Sequence, residues 1–170
     1  MSRRQAGTTG DGGGAAPFKV LFVCTGNAAR SQMAEGLATH LGEGRIEAHS
    51  AGTFPAGMVM RHAVAVMKER GIDISGHYSK GLDQVPGPFD LVITLCDSAV
   101  QECPAVLLEA AHQHWSTPDP SFIEGGPDEV IQAFREVRDR LESQIAALLD
   151  GLGTGNRGGH AGRRAPEDRG

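Results

Sequence analysis

At 170 residues the chain has material for one domain, enough to bury a single core. A net charge of −5 with scattered basic residues argues against a nucleic-acid-binding face, and no apolar run approaches the roughly 18 residues of a membrane span. The start of the chain has no apolar signal-peptide segment, so the expected setting is the cytoplasm. There, three cysteines are more often catalytic, metal-binding or redox-active than a static framework.

Residues 1–16 are rich in Gly and small polar side chains, and residues 151–170 are rich in Gly and Arg with almost nothing apolar. Neither stretch can bury enough surface to offset chain entropy, so both are expected to be disordered tails around a domain at 17–150. Phe18 to Val23 is short, apolar and rich in β-branched and aromatic residues, and reads as a buried parallel strand. A turn containing Gly26 leads to a helix near Arg30, where Met33, Leu37 and Leu41 recur every fourth residue. Arg45 to Ser50 is a weaker strand. Met58 to Arg70 predicts a helix with Met60, Val64 and Met67 on one face, stopped by Gly71. Phe89 to Leu95 is the next strand, followed by a helix-compatible stretch ending at Pro104 and a short strand at Gln113-His114-Trp115. Val130, Phe134, Val137, Leu141, Ile145 and Leu148 mark a long amphipathic helix from Pro127 to Leu149. The alternation predicts an open three-layer α/β domain, a four-stranded parallel sheet with helices on both faces. Sites in such folds lie at the carboxyl ends of strands, where Cys24 and Cys96 both fall.

The loop after the first strand has the makings of an oxyanion cradle. Gly26, Ala28 and Ala29 are small enough for the backbone N–H groups of Thr25 to Arg30, Asn27 included, to turn inward. The following helix adds the positive end of its dipole, and the planar fork of Arg30 can clamp two oxygens of a tetrahedral anion. Such donors favour a cysteine's thiolate, so Cys24 reads as a nucleophile set in its own anion site, with Ser31 able to donate to its sulfur.

The run from Val20 to Glu35, with Cys24 and Arg30 at its heart, resembles the phosphate-binding loop of the low-molecular-weight tyrosine phosphatase superfamily. Within that superfamily, Thr94-Leu95-Cys96 with Cys103-Pro104, then His114-Trp115 and Asp119-Pro120, is similar to the thioredoxin-coupled arsenate reductases. The likeness spans residues 18–149. It implies that Cys24 attacks arsenate, with phosphate and sulfate as competing oxyanions, and that Asp119 is the general acid. It implies next that Cys96 attacks Cys24 with release of arsenite, and that Cys103 then attacks Cys96. The Cys96–Cys103 disulfide would be reduced by thioredoxin, itself recycled by thioredoxin reductase and NADPH, for arsenic detoxification with no bound cofactor. Spacing adds a condition: cysteines seven apart on a regular helix are about 10 Å apart along its axis, beyond a disulfide's reach, so residues 97–103 must unwind.

Plainer readings stand beside these. Without the resemblance, Cys96 and Cys103 read equally well as two unrelated half-buried thiols, and Asp119 as a turn residue before Pro120. No CxxC or close Cys/His spacing supports a metal site. The histidines at 62, 77, 112 and 114 are taken as structural or surface groups. Some of the similar reductases hold potassium behind the loop through an Asn, a Glu, a Ser and an Asp. Asn27, Glu35 and Ser50 match the first three, and Lys80 falls at the fourth. Its ammonium is expected to replace the ion and to hold Glu35 and Asn27, making potassium unnecessary.

The rival enzyme is a low-molecular-weight protein tyrosine or small-molecule phosphatase using Cys24, Arg30 and Asp119. The cysteine pair argues against it, as does Ser121-Phe122, which does not place an aromatic residue where phosphatases often carry one. A reductase of this type could retain weak phosphatase activity. A non-enzymatic redox or oxyanion sensor is the rival of a different class. A monomer is expected, since no apolar stripe is left over once the sheet is covered.

Overall fold

The structure, a computed structural model, describes residues 16–104 and 110–154. Strand β1 (Phe18–Cys24) pairs with β2 (Ile46–Gly52) on one side and with β3 (Leu91–Thr94) on the other. Strand β4 (Ala111–His114) extends the sheet beside β3, giving the order β2-β1-β3-β4 with every pair parallel. From Val20 to Cys24, β1 is buried throughout, which a strand covered on both faces requires. Val20, Phe22 and Cys24 point into one core and Leu21 and Val23 into the other.

The larger core lies under three helices, α1 (Arg30–Gly42), α2 (Arg61–Lys68) and α4 (Pro127–Thr154). Phe22, Met33, Leu37, Phe134, Leu141 and Ile145 are fully buried there. Each such side chain contributes about 1.5–3 kcal/mol by its removal from water. The opposite face is covered more thinly, by the six-residue α3 (Asp97–Glu102) and by Leu82 and Val85 of a neighbouring turn.

Three differences from the sequence reading have physical causes. Helix α2 begins at Arg61 rather than Met58, because Met60 is extended and gives its N–H to the Ala28 carbonyl at 2.8 Å. Helix α4 runs to Thr154, past the expected boundary at 150: Leu152 packs on the core beside Leu148 and Leu149, so 151–154 belong to the helix and not to a tail. Strand β4 is exposed at every position, so it carries no apolar alternation and starts two residues before the expected place. The remaining tail residues lie outside the described set.

Ion pairs from Glu69 and Arg70, just past α2, hold it against α4. Glu69 accepts from Arg135 (2.9 Å) and from the buried Arg138 (2.7 Å), and Arg138 also donates to the Val66 carbonyl at 2.8 Å. Hydrogen bonds from Arg135 and Arg138 lower the Glu69 pKa from its ordinary range to about 2. Its contribution is therefore complete above the ordinary carboxyl pKa and fades as pH falls towards about 2. Glu69→Gln should lower the melting temperature by a few degrees near neutral pH, since the pair is partly exposed. The difference from wild type should close on acidification, as thermal melts across pH 7 to 2 would show.

Candidate active site

Cys24 ends β1 at the centre of the sheet and is 2 % exposed. In the loop beyond it, the carbonyls of residues 24 to 28 are all turned outward. Cys24, Thr25, Gly26 and Ala28 accept from the N–H groups of Thr53, Phe54, Ala56 and Met60 at 2.8–3.1 Å, and Gly26 also accepts from the Ser79 hydroxyl. The Asn27 carbonyl accepts from Gln32 Nε2 at 3.1 Å. With these carbonyls facing out, the N–H groups of the same peptide planes face the interior of the loop. Helix α1 starts behind Ala29, which has no side chain to cap it, so its first N–H groups are left to the same space.

That space is a hollow of about 50 Å3. Its floor is Cys24, Gly26 and Ala28 to Arg30, and its rim is Met60, Asp119 and Ser121. Volumes near 450 Å3 occur elsewhere on the surface, away from every cysteine. Arg30 is 8 % exposed and fixed at both ends of its fork, donating to the Thr117 carbonyl (3.0 Å) and lying 3.3 Å from Asp119 Oδ2. Asp119 starts a turn, as the plainer sequence reading expects, and also faces the loop. Its Oδ1 starts a short turn by accepting from the Ser121 N–H (2.9 Å) and hydroxyl (2.6 Å), while Oδ2 faces the guanidinium.

Behind the loop is a buried polar network whose donor directions can be assigned. Asn27 is fully buried with φ at 49°, in the left-handed region. Its Oδ1 accepts the Lys80 backbone N–H at 2.9 Å, which orients the amide and aims Nδ2 at Ser31 Oγ, 2.7 Å away. Ser31 therefore accepts from Asn27 and has its own proton free for Cys24 Sγ at 2.9 Å. Gln32 Nε2 donates to Asn27 Oδ1 (2.8 Å) and to the Tyr78 carbonyl (2.9 Å), leaving Oε1 to accept from His77 Nδ1 at 3.0 Å. Composition and spacing did not single out Gln32 or His77. Their signal is burial of a polar side chain on a helix face, which only the fold exposes.

Lys80 is placed as expected in part. Its ammonium lies 3.7 Å from Glu35 Oε1, 3.4 Å from the Tyr78 carbonyl and 4.9 Å from the centre of the Tyr78 ring, and Ser50 Oγ donates to the same Glu35 oxygen. Asn27, however, is held by the Lys80 backbone N–H and by Gln32, not by the ammonium. The expectation is corrected on that point: the amide network leaves Asn27 Oδ1 filled by two nearer donors.

The second cysteine meets the loop through a hydroxyl. Cys96 lies two residues past the end of β3 and immediately precedes α3, and its Sγ lies 3.1 Å from Thr25 Oγ1, which is also 2.9 Å from Ser98 Oγ. Burial pushes the Cys96 thiol up. The Thr25 and Ser98 hydroxyls, the Ala99 N–H and the Arg30 charge outweigh it, and the net shift is downward. Cys103 closes α3 on the far side, 7 % exposed, and burial pushes its thiol up. All three cysteines are unpaired.

A strand-turn-helix anion loop with a buried cysteine at its base and an Asp-Pro element on its rim defines a class of phosphatase-like domain. The chain belongs to the low molecular weight phosphotyrosine protein phosphatase family, whose pattern it matches over residues 19–157. It is 42 % identical to an arsenate reductase of Halalkalibacterium halodurans over 133 residues, 77 % of this chain and 94 % of that protein. It is 39 % identical to a glutaredoxin arsenate reductase of Synechocystis over 132 residues, 76 % of this chain and 98 % of that one. Among solved structures it is similar to an arsenate reductase in a phosphate-binding state, with a TM-score of 0.70 at 34 % identity, covering 79 % of this chain and 98 % of the other. It is also similar to a thioredoxin-dependent arsenate reductase of Corynebacterium glutamicum, with a TM-score of 0.64 at 29 % identity, covering 82 % and 64 %.

Gly52 provides a test of the loop. A Cβ there would lie 2.5 Å from the Thr25 carbonyl oxygen and 3.0 Å from Asn27 N, both backbone atoms that cannot swing aside. Gly52→Ala should cost about 1–3 kcal/mol in stability, the usual penalty of overpacking. It should also weaken binding of arsenate, phosphate and sulfate alike in isothermal titration, because the loop must shift.

Proposed function

We propose that this chain reduces arsenate to arsenite by passing oxidation through Cys24, Cys96 and Cys103 to a thioredoxin. The observation that carries the reading is the Thr25 hydroxyl, which follows Cys24 in sequence and holds Cys96 Sγ at 3.1 Å. A phosphatase working from Cys24, Arg30 and Asp119 has no use for that tether.

Arsenate enters the hollow with its oxygens on the loop N–H groups and Arg30. The Cys24 sulfur bonds to arsenic, and Asp119, on the rim, gives a proton so that the departing oxygen leaves as water. Cys96 then attacks Cys24 Sγ. The sulfur–arsenic bond breaks, its electron pair stays on arsenic, As(V) becomes As(III), and the two sulfurs form a disulfide. The opposed shifts of Cys96 and Cys103 support this order: despite burial, hydroxyl and backbone hydrogen bonds lower the first thiol, and burial raises the second. Cys103 next attacks Cys96 Sγ, Cys24 leaves as thiolate, and the Cys96–Cys103 disulfide passes to the reductant. Two thiols lose two electrons and arsenic gains two. Thioredoxin, with its reductase and NADPH, is the donor we favour on the likeness to the thioredoxin-dependent relative. The glutaredoxin relative names the alternative donor.

Arsenate-dependent NADPH consumption with thioredoxin and thioredoxin reductase should be sustained by the wild type and absent in Cys24→Ser. Cys103→Ser should release one arsenite per chain and stop with Cys24 joined to Cys96. Brisk hydrolysis of an aryl phosphate with no NADPH consumption would instead establish a phosphatase. Thr25→Val should move the pH profile of Cys96 alkylation upward, since it removes a hydrogen bond that lowers that thiol. With Lys80 beside Glu35, exchanging sodium for potassium should leave turnover and melting temperature where they are. A gain in either would place a cation there.

A further inference from the structure

The relay needs residues 97–102 folded for one step and unfolded for the next. What holds them is polar and lies outside the core. Of the six α3 residues only Ala99 is buried. Three side chains tie the helix to three different parts of the molecule. Ser98 Oγ meets Thr25 (2.9 Å), Glu102 Oε1 accepts from Thr53 Oγ1 (2.9 Å), and Asp97 Oδ1 meets His114 Nε2 (2.9 Å).

The last of these is anchored in the sheet. A carboxylate only accepts, so His114 Nε2 carries the proton towards Asp97. In the neutral ring Nδ1 then accepts from the hydroxyl of the fully buried Thr94, 2.8 Å away, and Thr94 Oγ1 in turn accepts from His112 Nε2 at 3.1 Å. Partial desolvation, with the neighbouring His114, lowers the His112 pKa, which suits its place as a neutral donor at the head of this chain. The four groups thus share one direction of donation, from the edge strand through β3 to the first residue of α3. Asp97 itself is largely exposed, its side chain at 84 %, so the fixed member of the pair is His114.

We propose that His114 is a positioning residue for the thiol relay, acting as a latch through Asp97. Closed, it keeps α3 folded, with Ser98 and the Ala99 N–H on Cys96 and with Cys103 covered. When Cys96 bonds to Cys24, its sulfur leaves the Thr25 and Ser98 hydroxyls, and the side-chain tethers left at that end are Ser98 to Thr25 and Asp97 to His114, of which only the second reaches the sheet. Its release lets 97–102 unwind and Cys103 reach Cys96. This inference rests on the three-thiol reading above.

The test needs no arsenate. In the fully reduced chain, maleimide labelling of each cysteine is followed by mass spectrometry. His114→Ala and Asp97→Ala should speed labelling of Cys103 about fivefold, the worth of roughly one partly exposed hydrogen bond. Labelling of Cys24 and the melting temperature should stay in place. His114→Gln, whose amide can supply the donor to Asp97, should restore the slow rate. Equal Cys103 rates in wild type and His114→Ala would overturn the latch. So would a parallel rise at Cys24, which would mean general loosening. Failure of the relay reading shows separately: the arsenate-treated wild type would lack a Cys96–Cys103 disulfide whatever the labelling rates.

Discussion

Everything at this site hangs on the amide of Asn27. A non-glycine residue in the left-handed region costs about 1–2 kcal/mol. Asn27 offsets this through its own amide and carbonyl, bonded to Lys80, Gln32 and Ser31 at 2.7–3.1 Å. At roughly 1 kcal/mol each, four such bonds outweigh the strain. The reversed backbone at residue 27 is what allows the flanking carbonyls to face outward and the N–H groups inward. The same amide aims the Ser31 proton at Cys24. The loop and the Cys24 sulfur are therefore organised by one side chain, which explains why a polar residue occupies a fully buried position.

The sheet then divides the labour among the cysteines. Cys24 stands buried at the end of a strand paired on both sides. Cys96 stands two residues past the end of the neighbouring strand, outside the ladder. Cys103 sits across a helix that buries one small side chain. On the relay proposed above, attachment to the sheet lessens along the order in which the thiols would act.

Sequence made the fold legible wherever a face was apolar. Phe18–Val23 and the Val130 to Leu148 stripe lead directly to β1 and α4, because burial on one or both faces leaves a pattern in the residues. β4 escaped its true register because all four of its residues are exposed, and the last turn of α4 because one leucine alone marks it. At the site, Cys24, Arg30, Ser31 and Asn27 were legible because they share one short loop. Gln32, His77 and the Thr25–Ser98–Cys96 contact were not. Each joins residues some 45 or more apart in the chain to a loop whose shape must exist before the contact does. Lys80 was found by position, yet its backbone rather than its charge holds Asn27, a distinction that residue type does not carry.

The hollow above Cys24, about 50 Å3 with the loop and Arg30 at its floor, has, if it binds a tetrahedral anion as proposed, a consequence for selection among anions. Phosphate, sulfate and arsenate present nearly the same outline to such a cradle. Recognition by fit therefore sorts them poorly, and the common anions of a cell would occupy it much of the time. What distinguishes arsenate is its central atom, which accepts an electron pair from a sulfur bond where phosphorus does not. On the reading proposed here, this domain screens its ligands by redox chemistry after binding. Its fidelity resides in the distance between two sulfurs and not in the walls of its pocket.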